Sequence, residues 1–453
     1  VPGMTAGADA DTRRDDAVPF TYEQERYYAA TPGSAEPGGA APATDLTRKN
    51  VQLAYEITGP FDPAVLEAAV RSFVARHDAL RMDVLPGAAS APLRAQRVRP
   101  LGADERVVDH QDVAAASERQ FARYVSLVQS RDFVAPWAEG GRPFAFRVLR
   151  YDAHRHAFLA AFQNLVFDSR ALDLFVREVW RDYAALAAGG AVESAAPSFA
   201  EAARRQRDRH DPDRLGRALD SWRDRLDHAV RHPWHRPDGA ERTESGDVET
   251  VLTGDALAAL TELGRRAGCT VVQCVVGAFA RAVHQHTGRR RLSLWTSMDG
   301  RRSVGRGVVG MFAGVAPLKV LDAGAALPDV CAEVGGQLLE ALRYQQVGSD
   351  ELAGIRSGFA AEGRVWSPDV YINIRQIRSE GARVRDDGPL RIDSDAYPLR
   401  GITFVDPYAL HLRCDEYLDR VRVRLVFDGQ RVGRPLAEAI MASLVGALTG
   451  GGR

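Results

Sequence analysis

The sequence predicts an α/β protein of two similarly built lobes, and three observations carry that reading. The chain has 453 residues, which at roughly 100–200 residues per domain suggests two or three folding units. Apolar residues make up 45% and charged residues 26% of it, the profile of a globular chain able to bury real cores. The order strand–helix–strand–helix is legible in the first half and again from Val248 onward, without a residue-level repeat.

The first lobe is expected over residues 18–188. Tyr22–Ala30 reads as a short helix. Val51–Ile57 alternates with period two, as a half-buried strand does. Asp62 then opens a helix as an N-cap, and Pro63 suits its first turn. Val65, Leu66, Ala69, Val70, Phe73 and Val74 form its apolar face. Phe144–Tyr151 and His156–Phe162 read as strands. A helix follows over Arg170–Ala188, with Leu172, Phe175, Val176, Val179 and Trp180 on one face and Gly189-Gly190 closing it. Residues 1–17 are expected to fray, and 31–48, rich in Gly, Pro, Ala and Thr, to form a loop.

The second lobe is expected over residues 189–453 and opens with a charged helical linker. Arg, Asp and His dominate 203–236, with Leu215, Leu219, Trp222 and Leu226 at helical spacing, so one amphipathic helix with a solvated charged face is expected there. A strand at Val248–Leu252, helices from Gly254-Asp255 and over Val271–His286, and strands at Arg291–Thr296 and Met311–Val320 come next. They are followed by a helix over Leu327–Tyr344, a strand at Asp369–Arg375, a hairpin of Leu410–Tyr417 and Val421–Phe427, and a last helix from Gly433-Arg434-Pro435 to Gly450.

Charge and cysteine usage narrow the function classes. Lys+Arg number 59 against Asp+Glu 60, so there is no basic excess of the kind that nucleic-acid binders or polybasic membrane-surface proteins need. No apolar run reaches the ~18 residues of a membrane span. Cys269, Cys274, Cys331 and Cys414 form no Cys-x-x-Cys pair and have no histidines at zinc spacing, so free thiols in a reducing cytosol are expected. Met4 reads as a native start after three added residues, and no hydrophobic signal core follows it. A cytoplasmic location is the expectation.

Several motifs fail on their mechanics. Gly305-Arg306-Gly307-Val308-Val309-Gly310 matches the dinucleotide fingerprint, but that fingerprint needs a helix after the glycines, and Met311–Pro317 looks extended. His284-Gln285-His286 places two imidazoles two residues apart, which does not put them on one helix face as a metal site requires. No Walker loop, nucleophile elbow or H-E-x-x-H is present. The informative segment is Gln163-Asn164-Leu165-Val166-Phe167-Asp168-Ser169, a strand end, a loop and the start of a long amphipathic helix. A carboxylate buried at such a junction must be hydrogen-bonded or ion-paired. From the residues alone, Asp168 as a buried ion-pair member stands at least level with Asp168 as a catalytic group.

Motifs in order along the chain then point to a family. These are Tyr22-Glu23-Gln24-Glu25-Arg26-Tyr27-Tyr28, Arg76-His77-Asp78-Ala79-Leu80-Arg81, the Phe162–Phe175 segment, Asp299-Gly300-Arg301, and Val309-Gly310-Met311-Phe312-Ala313-Gly314. Over about Pro19 to Leu448 the chain resembles the condensation domains of nonribosomal peptide synthetases and their free-standing relatives, among the carrier- and CoA-dependent acyltransferases. The resemblance implies two chloramphenicol-acetyltransferase-like lobes in a V-shaped pseudo-dimer. It also implies a central tunnel that takes the phosphopantetheine arm of a carrier protein from each side. No metal or diffusible cofactor is implied.

The departures matter as much. The family's catalytic motif reads His-His-x-x-x-Asp-Gly, and here Gln163 and Asn164 replace the histidines while Asp168 is kept and Ser169 replaces the glycine. Neither amide titrates near neutrality, so neither takes a proton as imidazole does, although Asn164 can still donate and accept hydrogen bonds. The heterocyclising variant Asp-x-x-x-x-Asp-x-x-Ser is not restored, since Gln163 and Ala171 stand at its first Asp and its Ser. The resemblance makes Asn164, Gln163 and Ser169 the catalytic candidates and Asp168–Arg301 a structural ion pair at the site. Tyr22, Gly314 and Tyr344 become tunnel-lining candidates. Two functions follow as expectations. One is an atypical condensation-type acyltransferase joining or cyclising a carrier-bound acyl or peptidyl thioester with an amine, which is small or carrier-bound. The other is a catalytically silent domain that recruits a carrier protein or a tailoring enzyme.

Overall fold

The computed structural model describes residues 17–29, 50–85, 95–134, 141–208, 211–231, 244–303, 305–364, 370–376, 390–393, 396–397 and 408–450. The expected loop at 31–48 and the terminal residues 1–16 lie outside these. The chain divides into two compact units, the first of Val1–His210, Arg301–Phe312 and Ser379–Ile402, the second of the remaining three segments. A single cut after residue 188 was the expectation. Past that point, Phe199, Ala202, Val308, Val309 and Phe312 bury their side chains in the first unit's core.

Among the described residues, the first unit's main sheet orders its strands as Arg391–Asp393, Val51–Thr58, Arg155–Phe162, Phe144–Arg150 and Val108–Asp112. Only the last pair is parallel. The strand Arg155–Phe162 is buried from His156 onward, as a strand covered on both faces must be. Its even residues Phe158, Ala160 and Phe162 enter a core with Phe73 of the Pro63–Arg76 helix and Phe175 of the Ser169–Ala187 helix. Its odd residues Ala157, Leu159 and Ala161 enter a separate core with Phe121, Val125 and Val128 of the Glu118–Arg131 helix. That helix was not expected from the sequence, nor was the polar strand Val108–Asp112.

The Arg76–Arg81 motif is structural. Arg76 Nη2 and His77 Nε2 both meet Glu178 Oε2 at 2.9 Å, and Arg76 Nη1 lies 2.6 Å from Asp182 Oδ2, which ties the Pro63–Arg76 helix to the Ser169–Ala187 helix. Asp78 accepts from Ser198 Oγ and from the Phe199 and Ala200 N–H groups, and so caps the Phe199–Asp208 helix. The expected single helix over 203–236 is two. Asp211 Oδ1 accepts from the Asp213 and Arg214 N–H groups and Pro212 takes the first turn, so a new helix, Pro212–Arg231, starts there.

Among the described residues, the second unit's sheet runs Ala313–Val320, Leu292–Asp299, Val370–Gln376, Leu410–Glu416, Val421–Phe427 and Gly246–Leu252. Pro317 is tolerated because its strand is an edge. That strand begins at Ala313 rather than Met311, because Phe312 turns its N–H to Asp168 in the first unit instead. The helices Gly254–Ala267, Val271–Thr287, Leu327–Arg343 and Arg434–Thr449 bury their apolar faces in the same core as this sheet. Four strands repeat the first unit's scheme. Gly246–Leu252 pairs antiparallel with Val421–Phe427, which pairs antiparallel with Leu410–Glu416, which pairs parallel with Val370–Gln376. Val51–Thr58, Arg155–Phe162, Phe144–Arg150 and Val108–Asp112 are related in the same way.

Candidate functional site

The Asp168 junction inherits its position from the strand before it and the helix after it. The Gln163 N–H donates to the Pro143 carbonyl at 2.9 Å, and the Val166 N–H closes a turn on the Gln163 carbonyl at 3.1 Å. Leu165, Val166 and Phe167 are buried, and the Phe167 ring stacks on Phe162 at 3.8 Å. Asp168 then caps the Ser169–Ala187 helix, its Oδ1 accepting from the Ala171 N–H at 2.9 Å.

Asp168 and Arg301 are brought together, 3% and 1% exposed at their side chains. Arg301 Nη1 donates to Asp168 Oδ2 and Nη2 to Oδ1, each at 2.8 Å, and the Phe312 N–H reaches Oδ2 at 3.0 Å. The carboxylate thus accepts four hydrogen bonds, two on each oxygen. Arg301 also donates from Nε to the Val308 carbonyl and from Nη2 to the Gly310 carbonyl, and its guanidinium lies over the Phe312 ring. This saturation leaves Asp168 no free lone pair for proton transfer. Gly310, in the glycine-rich stretch, is required by close approach, since a Cβ there would stand 2.1 Å from Phe199 Cδ2.

The other candidates lie on several elements. Gln163 and Asn164 are half-buried on the turn that leads to Asp168, and Ser169 is exposed in the first turn of its helix. Among the described residues the Asn164 side chain makes no hydrogen bond. Tyr22 starts the Tyr22–Ala29 helix, its N–H bonded to Gln206 Oε1 and its ring beneath the Arg207 guanidinium at 4.1 Å. Gly314 and Tyr344 belong to the second unit. Gly314 faces Met298 across the Ala313–Val320 strand pair, and the Tyr344 carbonyl accepts from Trp222 Nε1. Among the described residues no group of three or more His, Cys, Asp or Glu is placed to hold a metal ion. The four cysteines are free thiols, three of them buried. No single described helix is long and apolar enough to cross a membrane.

Two features escaped the sequence reading. One is the side-chain brace behind the turn, in which Gln24 Nε2 donates to the Leu165 carbonyl at 2.9 Å. Its partner Gln96 lies in the Ala95–Val98 strand, for which the sequence gives no signal. The other is a copy of the turn itself. In the second unit the Asp428 N–H donates to the Ala409 carbonyl and the Arg431 N–H closes on the Asp428 carbonyl. A buried Val432 and a helix N-cap at Gly433 follow. The spacing and these two backbone bonds match those of Gln163, Val166, Phe167 and Asp168, while Asp428, at the Gln163 position, also accepts from the Gln430 N–H through Oδ1 and from Arg431 Nε through Oδ2. The copy carries Gly429 at the Asn164 position and Gly433 at the Asp168 position. The turn therefore closes without a carboxamide or a carboxylate at those places.

A four-strand α/β scheme thus recurs in both units, each copy ending in a strand–turn–helix junction. A family model described as Condensation domain matches residues 44–362, and the chain belongs to that family. A linear gramicidin synthase of Brevibacillus parabrevis is 23% identical over 358 residues, 75% of this chain and 4% of its own length. Phosphinothricin tripeptide synthetase PhsC of Streptomyces viridochromogenes is 27% identical over 353 residues, 75% of this chain and 31% of its own. The chain thus spans a minor part of these synthetases. Its fold is that of the X-domain from teicoplanin biosynthesis, with a TM-score of 0.71 at 20% identity, covering 96% of this chain and 95% of that one. The X-domain in its complex with OxyB gives 0.69 at 21% identity, over 96% and 93%.

Proposed function

We propose that this chain is a condensation-type acyltransferase with an atypical site, joining a carrier-bound acyl or peptidyl thioester to an amine. The observation that carries this is Asn164, a half-exposed carboxamide without a protein partner among the described residues, on a turn whose copy does without it. The turn's own hydrogen bonds do not account for such a side chain, and its unspent donors and acceptor are what an incoming nucleophile needs.

In this reading the amine nitrogen attacks the thioester carbonyl carbon, the C–S bond breaks, and sulfur leaves with the electron pair as the pantetheine thiolate. The proton lost by nitrogen passes to water or to that thiolate. Asn164 Oδ1 accepts an N–H of the amine and aims its lone pair, while Gln163 and Ser169 extend the polar lining. Asp168 and Arg301 hold the turn and take no proton. Orientation alone can supply much of the barrier lowering for a good amine and a thioester, and general-base help, typically worth ~10²–10⁴, is what this site forgoes.

The test is to incubate the protein with loaded carrier protein and candidate amines and to follow the pantetheine-bound mass. Transfer is expected, and Asn164→Ala should slow it by about 2- to 10-fold, as loss of one charge-free positioning hydrogen bond predicts. Undiminished transfer by that variant removes Asn164 from the mechanism.

One observation favours a second reading, a silent domain that recruits a carrier protein or tailoring enzyme: Gln163-Asn164 supplies no group that titrates near neutrality. The likeness to an X-domain found in complex with OxyB is compatible with it. Tight carrier or tailoring-enzyme binding with no transfer from any amine would select this reading.

A further inference from the structure

We infer that Gln24 is a positioning residue for Asn164, acting through the Leu165 carbonyl; this rests on the role proposed for Asn164. Gln24 and Gln96 are both 0% exposed. Gln24 Nε2 donates to Gln96 Oε1 at 3.0 Å and to the Leu165 carbonyl at 2.9 Å. Gln24 Oε1 accepts from Gln96 Nε2 at 2.8 Å and from the Thr21 N–H at 3.0 Å. Both donors and both lone pairs of the Gln24 amide are used. The Gln24 N–H bonds in turn to Thr21 Oγ1, and Thr21 Oγ1 donates to the Met311 carbonyl, one residue before the N–H that grips Asp168.

Two buried carboxamides are a costly way to fill a core, and apolar side chains of the same volume would pack as well. What the pair adds is direction. It fixes the carbonyl of the residue that follows Asn164, so the turn is held from that side by Gln24 and from the Asp168 side by Arg301 and Phe312. The copied turn provides the comparison. Among the described residues the carbonyl of Gln430, which corresponds to Leu165, receives no side-chain donor. In the copied turn side chains hold the backbone N–H groups instead, Ser245 Oγ accepting from Gly429 and Asp428 Oδ1 from Gln430, so a side-chain donor to this carbonyl is particular to the turn that carries the carboxamide.

The experiment uses the full chain with Gln24→Met, an apolar replacement of similar length, alone and combined with Asn164→Ala. Hydrogen exchange over residues 163–168 should quicken about 10-fold, the worth of one buried hydrogen bond, while 155–162 stays unchanged. Transfer from loaded carrier to amine should fall by a similar factor, about 10-fold. The double variant should be no slower than Asn164→Ala alone, which a general loss of structure would not produce. Unchanged exchange at 163–168, or a second independent loss in the double variant, overturns the proposal. If the wild type transfers nothing, the acyltransferase reading fails, and the exchange result alone decides whether Gln24 holds the turn. If Gln24→Met does not fold, Gln24→Glu replaces it. Its neutral carboxyl can donate to the Leu165 carbonyl, so exchange relative to wild type should quicken as pH rises and the carboxyl ionises. A flat profile would count against the brace.

Discussion

Replacing Asp168 by Ala removes four hydrogen bonds and half of a buried ion pair in one step. The Arg301 guanidinium stays behind, 1% exposed, and loses the carboxylate that accepts from both of its Nη atoms. Stripping one partner from such a pair costs about 3–5 kcal/mol, chiefly because the remaining charge is left desolvated. At ~2–4 °C per kcal/mol for a folding unit of ~150–250 residues, the melting midpoint should fall by roughly 6–20 °C. Differential scanning calorimetry reads this directly. Asp168→Asn separates the contributions, because a carboxamide still caps the Ser169–Ala187 helix but no longer neutralises Arg301. Pairing Asp168→Ala with Arg301→Met should restore part of the loss, since an apolar pair leaves no stranded charge. A midpoint for Asp168→Ala within about 2 °C of wild type would refute the reasoning, as would a double variant less stable than the single one.

Two further outcomes are expected. Burial would raise the Glu178 carboxyl, but the hydrogen bonds and charges of His77 and Arg76 outweigh it and hold its pKa below the ordinary value. A folded pKa below the unfolded one gives stability that is complete above about pH 4.3 and is lost as pH falls through the folded value. Urea midpoints from neutral pH down to acid should therefore drop below that point, and Glu178→Gln should flatten this limb; an equally steep limb in the variant argues against the assignment. Asn164→His places an imidazole on the turn, and transfer should then rise as pH passes through ~6.5, by up to the ~10²–10⁴ of general-base help. A histidine variant without a titrating limb near that pH would show that the position does not face the nucleophile.

Much of the scaffold is legible in the sequence where one chemical signal dominates. Phe158–Phe162 is a strand because its residues are apolar on both faces, and Ser169–Ala187 is a helix because its apolar residues recur at 3.6 behind a capping Asp168. The Val108–Asp112 strand was not legible, because Asp109, His110, Gln111 and Asp112 carry no alternation and the parallel neighbour Phe144–Arg150 sets it. Ser349–Ala361 interrupts its apolar residues with Gly354 and Gly358 and gives only a weak helical stripe. Phe121, Val125 and Val128 do stand at helical spacing behind a capping Ser117, but they make a thin stripe among polar and charged neighbours. At the site, Gln163, Asn164 and Asp168 are contiguous and could be found from the motif. Arg301 lies 133 residues from Asp168 and was reached only through the resemblance. Gln24 and Gln96, 72 residues apart, have no local mark, because a buried amide pair looks like any two polar residues until the fold joins them.

The strand that ends at Phe162 is a party wall between two separately furnished rooms, its alternate side chains belonging to different tenants. An inserted or deleted residue there would swap every tenant to the wrong room, so this stretch should reject length changes that outer loops accept. The turn at Gln163 springs from the end of that wall, so a slip of the strand would carry Gln163 and Asn164 along with it.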